Sequence, residues 1–254
     1  MLNLYSRAQS FSCNTRTLSP LLGGTLNAAS YLVRSKGKGN FLYEGCYRGI
    51  PFKFRRDDLS AIREIFFKQE YRELQKHLVG GSDRPFILDV GAHIGLFATW
   101  VYSLKPGAEV LSVEASPSTY KILAANAAKK NLSWTAINCA AWGSNGSIKF
   151  ADESSSTMSH RVSEDGSIEI PTVTLADLAQ GREVDVLKID IEGAEESFLT
   201  APDADFGNIK SLLMELHPSY CNAERVMDVL QRNFKKIENI KYGTDSKPVL
   251  LCWK

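Results

Sequence analysis

The sequence predicts an α/β fold: a doubly wound, mostly parallel sheet that ends in an antiparallel hairpin. Three observations predict it. From Pro85 onward, short apolar runs alternate with stretches of helical periodicity. A glycine turn, Asp89-Val-Gly-Ala-His-Ile-Gly95, joins the first apolar run to the first helix. The last two runs are separated by a turn and not by a helix, so they must pair antiparallel.

The elements follow in order. Residues 1–40 carry breaker clusters at Pro20-Leu-Leu-Gly-Gly-Thr25 and Ser35-Lys-Gly-Lys-Gly-Asn40, with a short helix expected over Leu26–Val33. Phe41–Phe54 alternates around Tyr47-Arg-Gly49 and predicts a hairpin. Asp57 or Asp58 is placed to cap a helix that runs to about Leu78 on Leu59, Ile62, Ile65, Phe66 and Tyr71, and Gly80-Gly81 stops it. The first core strand is Phe86–Val90, with its helix over Leu96–Leu104. The second strand is Glu109–Val113, and Pro117 opens the helix Ser118–Lys129. Trp134–Ala140 reads as the third. Ser147–Phe150 and Ile168–Val173 flank a polar loop, Asp152–Gly166, and Thr174 starts a brief helix. Val184–Ile189 precedes a helix from Ala194, and Ser211–Leu216 precedes the helix Cys221–Asn233. Lys235–Ile240 and Pro248–Trp253 then form the terminal pair around Gly243-Thr-Asp-Ser246.

This divides the chain into an N-terminal extension, residues 1–80, acting as a cap or lid, and a cofactor domain over 81–254. The 30 basic and 29 acidic residues nearly cancel, so no global field argues for a nucleic-acid partner. Residues 1–43 hold five basic residues and no acid, which suits either an organelle transit peptide or a small basic cap. Five scattered cysteines without a CxxC pair read as reduced thiols, and point to the cytoplasm. No stretch approaches the roughly 20 apolar residues of a membrane span.

The chemistry concentrates at the strand ends. The glycine turn lacks the full GxGxxG of nicotinamide enzymes, because His93 stands at the middle glycine. A pyrophosphate needs bare backbone there; S-adenosylmethionine carries an amino acid and a sulfonium instead, and an acid such as Asp89 suits it. The turn residues Gly91, Ala92 and Gly95 are therefore candidate cofactor contacts, with Ala140 at the end of the third strand. Glu114 ends the second strand, where a carboxylate can accept both ribose hydroxyls. Asp190 ends a buried strand and faces the same crevice. Glu192 and Glu195 flank the following helix start, where an acid also has a purely capping use. Glu215 and His217 alternate at the end of the next strand and so share one face.

Four stretches carry a resemblance. Asp-Val-Gly-Ala-His-Ile-Gly-Leu-Phe (89–97), Val-Glu-Ala-Ser-Pro (113–117), Leu-Lys-Ile-Asp-Ile-Glu-Gly-Ala-Glu (187–195) and Met-Glu-Leu-His (214–217) together resemble the FkbM-type methyltransferases, over about residues 50–254. The chain departs from that pattern at His93, where the family usually has Asn, and at Ala115, where Pro often follows the acid. The resemblance implies a Rossmann-like sheet, S-adenosylmethionine as cofactor and methylation of oxygen on a small-molecule or carbohydrate acceptor. Methyl transfer needs an aligned acceptor and a route for its proton. His217, oriented by Glu215 or Asp190, can accept that proton; alternatively Asp190, Glu192, Glu215 and His217 hold a magnesium or manganese ion. A nicotinamide oxidoreductase and a non-catalytic module on the same sheet are the competing readings.

Overall fold

Apolar runs that are buried on both faces favour parallel strands under a helical cover, and the chain uses them so. The computed structural model describes residues 18–23, 41–151, 161–162, 166, 168–240 and 247–254. The expected helix Leu26–Val33, the transit-peptide reading, most of the loop 152–166 and the turn 243–246 lie outside these residues.

Strands β1 (Tyr43–Tyr47) and β2 (Ile50–Phe54) form an antiparallel hairpin. Two short helices follow, α1 (Leu59–Ile62) and α2 (Arg72–Val79). Then come β3 (Phe86–Val90), α3 (Leu96–Leu104), β4 (Glu109–Val113), α4 (Pro117–Ala127) and β5 (Ser133–Ile137). Four short strands succeed them: β6 (Ala140–Ala141), β7 (Gly146–Ala151), β8 (Arg161–Val162) and β9 (Ile168–Val173). The chain closes with α5 (Leu175–Ala179), β10 (Val184–Ile189), α6 (Glu195–Leu199), β11 (Ile209–Glu215), α7 (Ala223–Asn233), β12 (Lys236–Asn239) and β13 (Val249–Trp253).

Seven strands make the central sheet in the order β12-β13-β11-β10-β3-β4-β5. Strands β11 to β5 run parallel, while β13 lies antiparallel between β11 and β12. Side chains alternate across the sheet. Ile87, Val186, Leu213 and Leu251 meet the hairpin, α1 to α4 and the helical turns between them. Leu88, Leu187, Leu212 and Cys252 meet α5, α6 and α7 on the other face. The order in which strands are added reverses between the parallel neighbours β3 and β10, so the chain leaves their C-terminal ends toward opposite sides, and this is where open sheets leave a crevice for ligands.

Two expectations need correction. The predicted helix from Asp58 to Leu78 is interrupted: after α1 the backbone widens into a π-helical turn over Arg63–Phe67, and Gln69 adopts φ 55° before α2 begins. The predicted strand Trp134–Ala140 ends at Ile137. Asn138 donates from Nδ2 to the carbonyls of Glu114 and Ala115, at 2.7 and 3.0 Å, and Ala140 then begins a second sheet. That sheet, in the order β6-β9-β7-β8, was not foreseen.

The four described cysteines are unpaired. Among the described residues no helix is long and apolar enough to cross a membrane.

Candidate active site

A cavity of about 340 Å³ opens at the C-terminal ends of β4, β3, β10 and β11. Gly91, Ala92, Glu114, Ala140, Asp190, Glu192 and Glu215 line it, so seven of the sequence-predicted residues meet in one place. Ala140, Ala141 and Phe150 supply a wall from the second sheet. Glu64, Ile65, Glu70 and Tyr71 supply another from the N-terminal extension.

The glycine turn is held by backbone. Gly91 and Ala92 both donate to the Val113 carbonyl at 2.9 Å. Gly91 has φ 75°, and a Cβ there would stand 1.7 Å from the Asp190 carbonyl oxygen. Gly95 serves packing instead: a Cβ would meet the Trp134 ring at 2.5 Å, and the residue does not line the cavity. Asp89 does not line it either. It is fully buried beneath the turn, cross-strand from Lys188, whose Nζ lies 3.5 Å from Oδ1 and donates to the Gly91 carbonyl at 2.6 Å. Burial draws the Lys188 ammonium pKa down, but Asp89 and Asp190 outweigh it and hold the group charged. A lysine inside the buried stretch Val186–Ile189 was the sequence signal for this pair, and it was missed.

Glu114 is nearly buried and fixes the turn from the side. Its Oε2 accepts the His93 N–H at 2.8 Å and its Oε1 the Ser116 N–H at 2.9 Å. Ser116 in turn caps α4 by accepting from Thr119 N–H at 3.2 Å. His93 adopts φ 53°, a left-handed conformation that histidine tolerates better than most residues. Its imidazole Nε2 stands 3.2 Å from Oδ1 of the fully buried Asp58. Asp58 does not cap α1 through its side chain. It accepts the Arg55 backbone N–H at 2.6 Å and the Arg55 guanidinium at 3.0 and 3.2 Å. The extension is thereby clamped to the glycine turn.

Burial alone would raise the Asp58 pKa; the neighbouring His93, then the Arg55 hydrogen bonds and charge, outweigh it and hold the carboxyl below 3.8. A depressed carboxylate stabilises the fold fully above its unfolded pKa and loses that contribution as pH falls through the folded value. Asp58→Asn is therefore expected to cost roughly 2 kcal/mol near neutrality. Denaturant titrations of both proteins should show the difference closing as pH drops below about 4. An equal difference at every pH would refute the assignment.

The other acids surround His217. Strand β11 ends at Glu215, so the alternation expected to pair Glu215 with His217 stops short of the histidine. The orienting acid is Glu195, fully buried at the start of α6, whose Oε1 stands 2.7 Å from Nδ1. That oxygen also accepts the Gly193 N–H at 3.2 Å. His217 itself is 1% exposed, beneath the cavity floor. Its Nε2 lies 3.2 Å from Glu192 Oε2 and 4.0 Å from Asp190 Oδ1, without hydrogen-bonding geometry to either. Burial pulls the imidazole pKa down, but the Glu195 hydrogen bond and the charges of Glu195, Glu192 and Asp190 raise it above 6.5. Glu192 reaches this position through a backbone φ of 51°. Burial and Asp190 lift its carboxyl above 4.5, against His217 and Lys247.

The chain is similar to several known methyltransferases. The AglP protein of Haloferax volcanii, a hexuronic acid methyltransferase, is 29% identical over 63% of this chain and 67% of its own. The methyltransferase sdnD of Sordaria araneosa is 24% identical over 56% of this chain and 70% of its own. Among solved structures, M. jannaschii TYW2 in complex with AdoMet aligns with a TM-score of 0.46 and 16% identity, over 85% of this chain and 87% of that one. Residues 89–238 match the family model described as the methyltransferase FkbM domain. That span takes in the glycine turn, Glu114, and the Asp190, Glu192, Glu195 and His217 group, and it leaves the nicotinamide reading without support. The chain belongs to the FkbM family of methyltransferases.

Proposed function

We propose that the protein transfers the methyl group of S-adenosylmethionine to a hydroxyl oxygen of a small molecule, sugar or glycolipid. One observation carries the reading: a single cavity runs from Glu114 and the Gly91 turn to Asp190 and Glu192 above His217. Cofactor requirements are met at one end and acceptor requirements at the other.

At the cofactor end, the Glu114 carboxylate accepts the His93 and Ser116 N–H groups and stands at the strand end where a carboxylate can accept ribose hydroxyls. Gly91 and Ala92 leave backbone open to the ligand, and the surrounding acids favour a sulfonium. At the acceptor end, an alcohol has a pKa far above neutrality and needs a group that takes or stabilises the departing proton. The carboxylates of Asp190 and Glu192, backed by His217 and Glu195, supply that environment. The acceptor oxygen forms its bond to the methyl carbon in line with the breaking sulfur–carbon bond. The electron pair of that bond stays on sulfur, and the hydroxyl proton leaves by way of the acidic group to water.

Glu64 and Glu70, on the wall supplied by the N-terminal extension, add negative charge that disfavours a phosphate backbone. The name of AglP, a hexuronic acid methyltransferase, supports a carbohydrate acceptor. The test is turnover of sugars and glycolipid headgroups with isotopically labelled cofactor, the modified atom being identified by mass spectrometry. Label on nitrogen or carbon alone would overturn the oxygen assignment. His217→Ala should lower turnover by about 10²–10⁴-fold, with S-adenosylhomocysteine affinity kept within about twofold. Equal loss of both would make His217 a packing residue.

A further inference from the structure

We propose that Asp190, Glu192 and His217 form a binding site for a divalent cation, with manganese the best fit, at the acceptor end of the cavity. The inference rests on the methyltransferase reading and specifies how that site handles the hydroxyl proton. The three side chains follow β10 and β11, and one ligand atom from each lies within 4.8 Å of the others.

Proximity of acids alone would mean little. The histidine provides an independent observation. His217 is 1% exposed, and its Nε2 has no hydrogen-bond partner while facing both carboxylates. An unsatisfied buried nitrogen costs about 1–3 kcal/mol unless something occupies it. Glu195 Oε1, a carboxylate oxygen at 2.7 Å, can only accept from Nδ1. A cation displaces any proton on Nε2 while Nδ1 keeps its own toward Glu195, so the Nε2 lone pair is directed at the space beside Asp190 and Glu192. A carboxylate behind a histidine is the arrangement that orients imidazoles toward metal ions.

The remaining geometry agrees. The Asp190 and Glu192 side chains are 35% and 24% exposed, so a cation held there keeps coordination positions open to the cavity. The donor set is one imidazole nitrogen and two carboxylates. Thiolates are absent from it, and magnesium favours oxygen with most of its water retained. Manganese accepts imidazole and carboxylate together. Lys247 Nζ lies 3.4 Å from Glu192 Oε2, but its side chain is 42% exposed and can swing clear. A cation in this site would bind the acceptor hydroxyl and lower its pKa, releasing the proton to water as the methyl group moves from sulfur to oxygen.

The experiment is manganese titration of chelator-stripped full-length protein, followed by electron paramagnetic resonance, with S-adenosylhomocysteine affinity measured on the same samples. We expect one equivalent bound, an imidazole nitrogen coupling in the pulsed spectrum, and at least about tenfold weaker binding in Asp190→Asn and His217→Gln. S-adenosylhomocysteine binding without manganese binding at millimolar metal would end the cation proposal and leave the methyltransferase reading standing. Failure of S-adenosylhomocysteine to bind as well would remove both. Manganese bound equally by the variants, or without nitrogen coupling in the wild type, would place the ion elsewhere and overturn the site. The wild-type coupling decides the matter even if a variant fails to fold.

Discussion

Gly91→Ala is expected to be the most damaging single substitution in the chain. The new Cβ would stand 1.7 Å from the Asp190 carbonyl oxygen and 2.7 Å from its carbon, both backbone atoms. Neither can turn aside as a side chain would. The ends of β3 and β10 would have to separate, breaking the bond by which Asp190 N–H donates to the Val90 carbonyl at 3.0 Å. Left-handed backbone adds about 1–2 kcal/mol for any residue with a Cβ. A total loss of about 4 kcal/mol or more is expected, with S-adenosylhomocysteine binding abolished. Gly49 provides the control, since it has φ 86° with nothing within 4 Å of a Cβ. Gly49→Ala should cost only the conformational part, about 1–2 kcal/mol. Urea unfolding of the two variants separates steric exclusion from backbone preference. Equal losses would mean that the crossing of β3 and β10 yields to the methyl group.

Glu114→Ala is expected to act on binding and stability together. The ribose hydroxyls lose charge-assisted acceptors, worth about 1.5–3 kcal/mol, or roughly 10- to 150-fold in S-adenosylhomocysteine affinity. The His93 and Ser116 N–H groups, bonded at 2.8 and 2.9 Å, lose their acceptor at the same time. A further loss of about 1–3 kcal/mol per buried orphan applies to the fold. Glu114→Gln separates the effects, because its amide oxygen can still accept one turn N–H while the charge is gone. Calorimetry should therefore show Gln close to Ala in affinity, and melting should show it between Ala and the wild type. Unchanged affinity in Glu114→Ala would contradict the ribose role.

Legibility in the sequence followed burial. Strands β3, β4 and β10 lie under cover on both faces, so their apolar runs ended where the strands end: Val90, Val113 and Ile189. Helix α3 was equally clear, being almost wholly buried between a glycine and Lys105. The terminal hairpin announced itself by the absence of a helix between its strands. Failures came where tertiary contacts overrode local pattern. Asn138 looked like one polar residue inside a strand, yet its two bonds to the β4 end pull the chain out of the sheet. The π-helical turn after α1 keeps the same apolar positions that a continuous helix would have, so periodicity could not reveal it. The site was legible as a set of strand-end acids. Its pairings were not, because Glu195 starts α6 while His217 follows β11, 22 residues on, and each had an adequate local explanation. His93 was the least readable of all, since its partner Asp58 lies in a segment with no readable chemistry of its own.

That last contact gives the extension a thermodynamic role. Arg55 holds Asp58, Asp58 faces His93, and the His93 N–H donates to Glu114, the carboxylate proposed for the ribose. A ligand that needs Glu114 and the turn in this arrangement binds the clamped form in preference to an undocked one. Linkage then requires reciprocity: the free energy by which docking of residues 41–58 favours the ligand equals that by which the ligand favours docking. Under the proposed function the hairpin is an effector of the cofactor site, covalently tethered and always at hand, and the histidine in the glycine turn is where its influence enters.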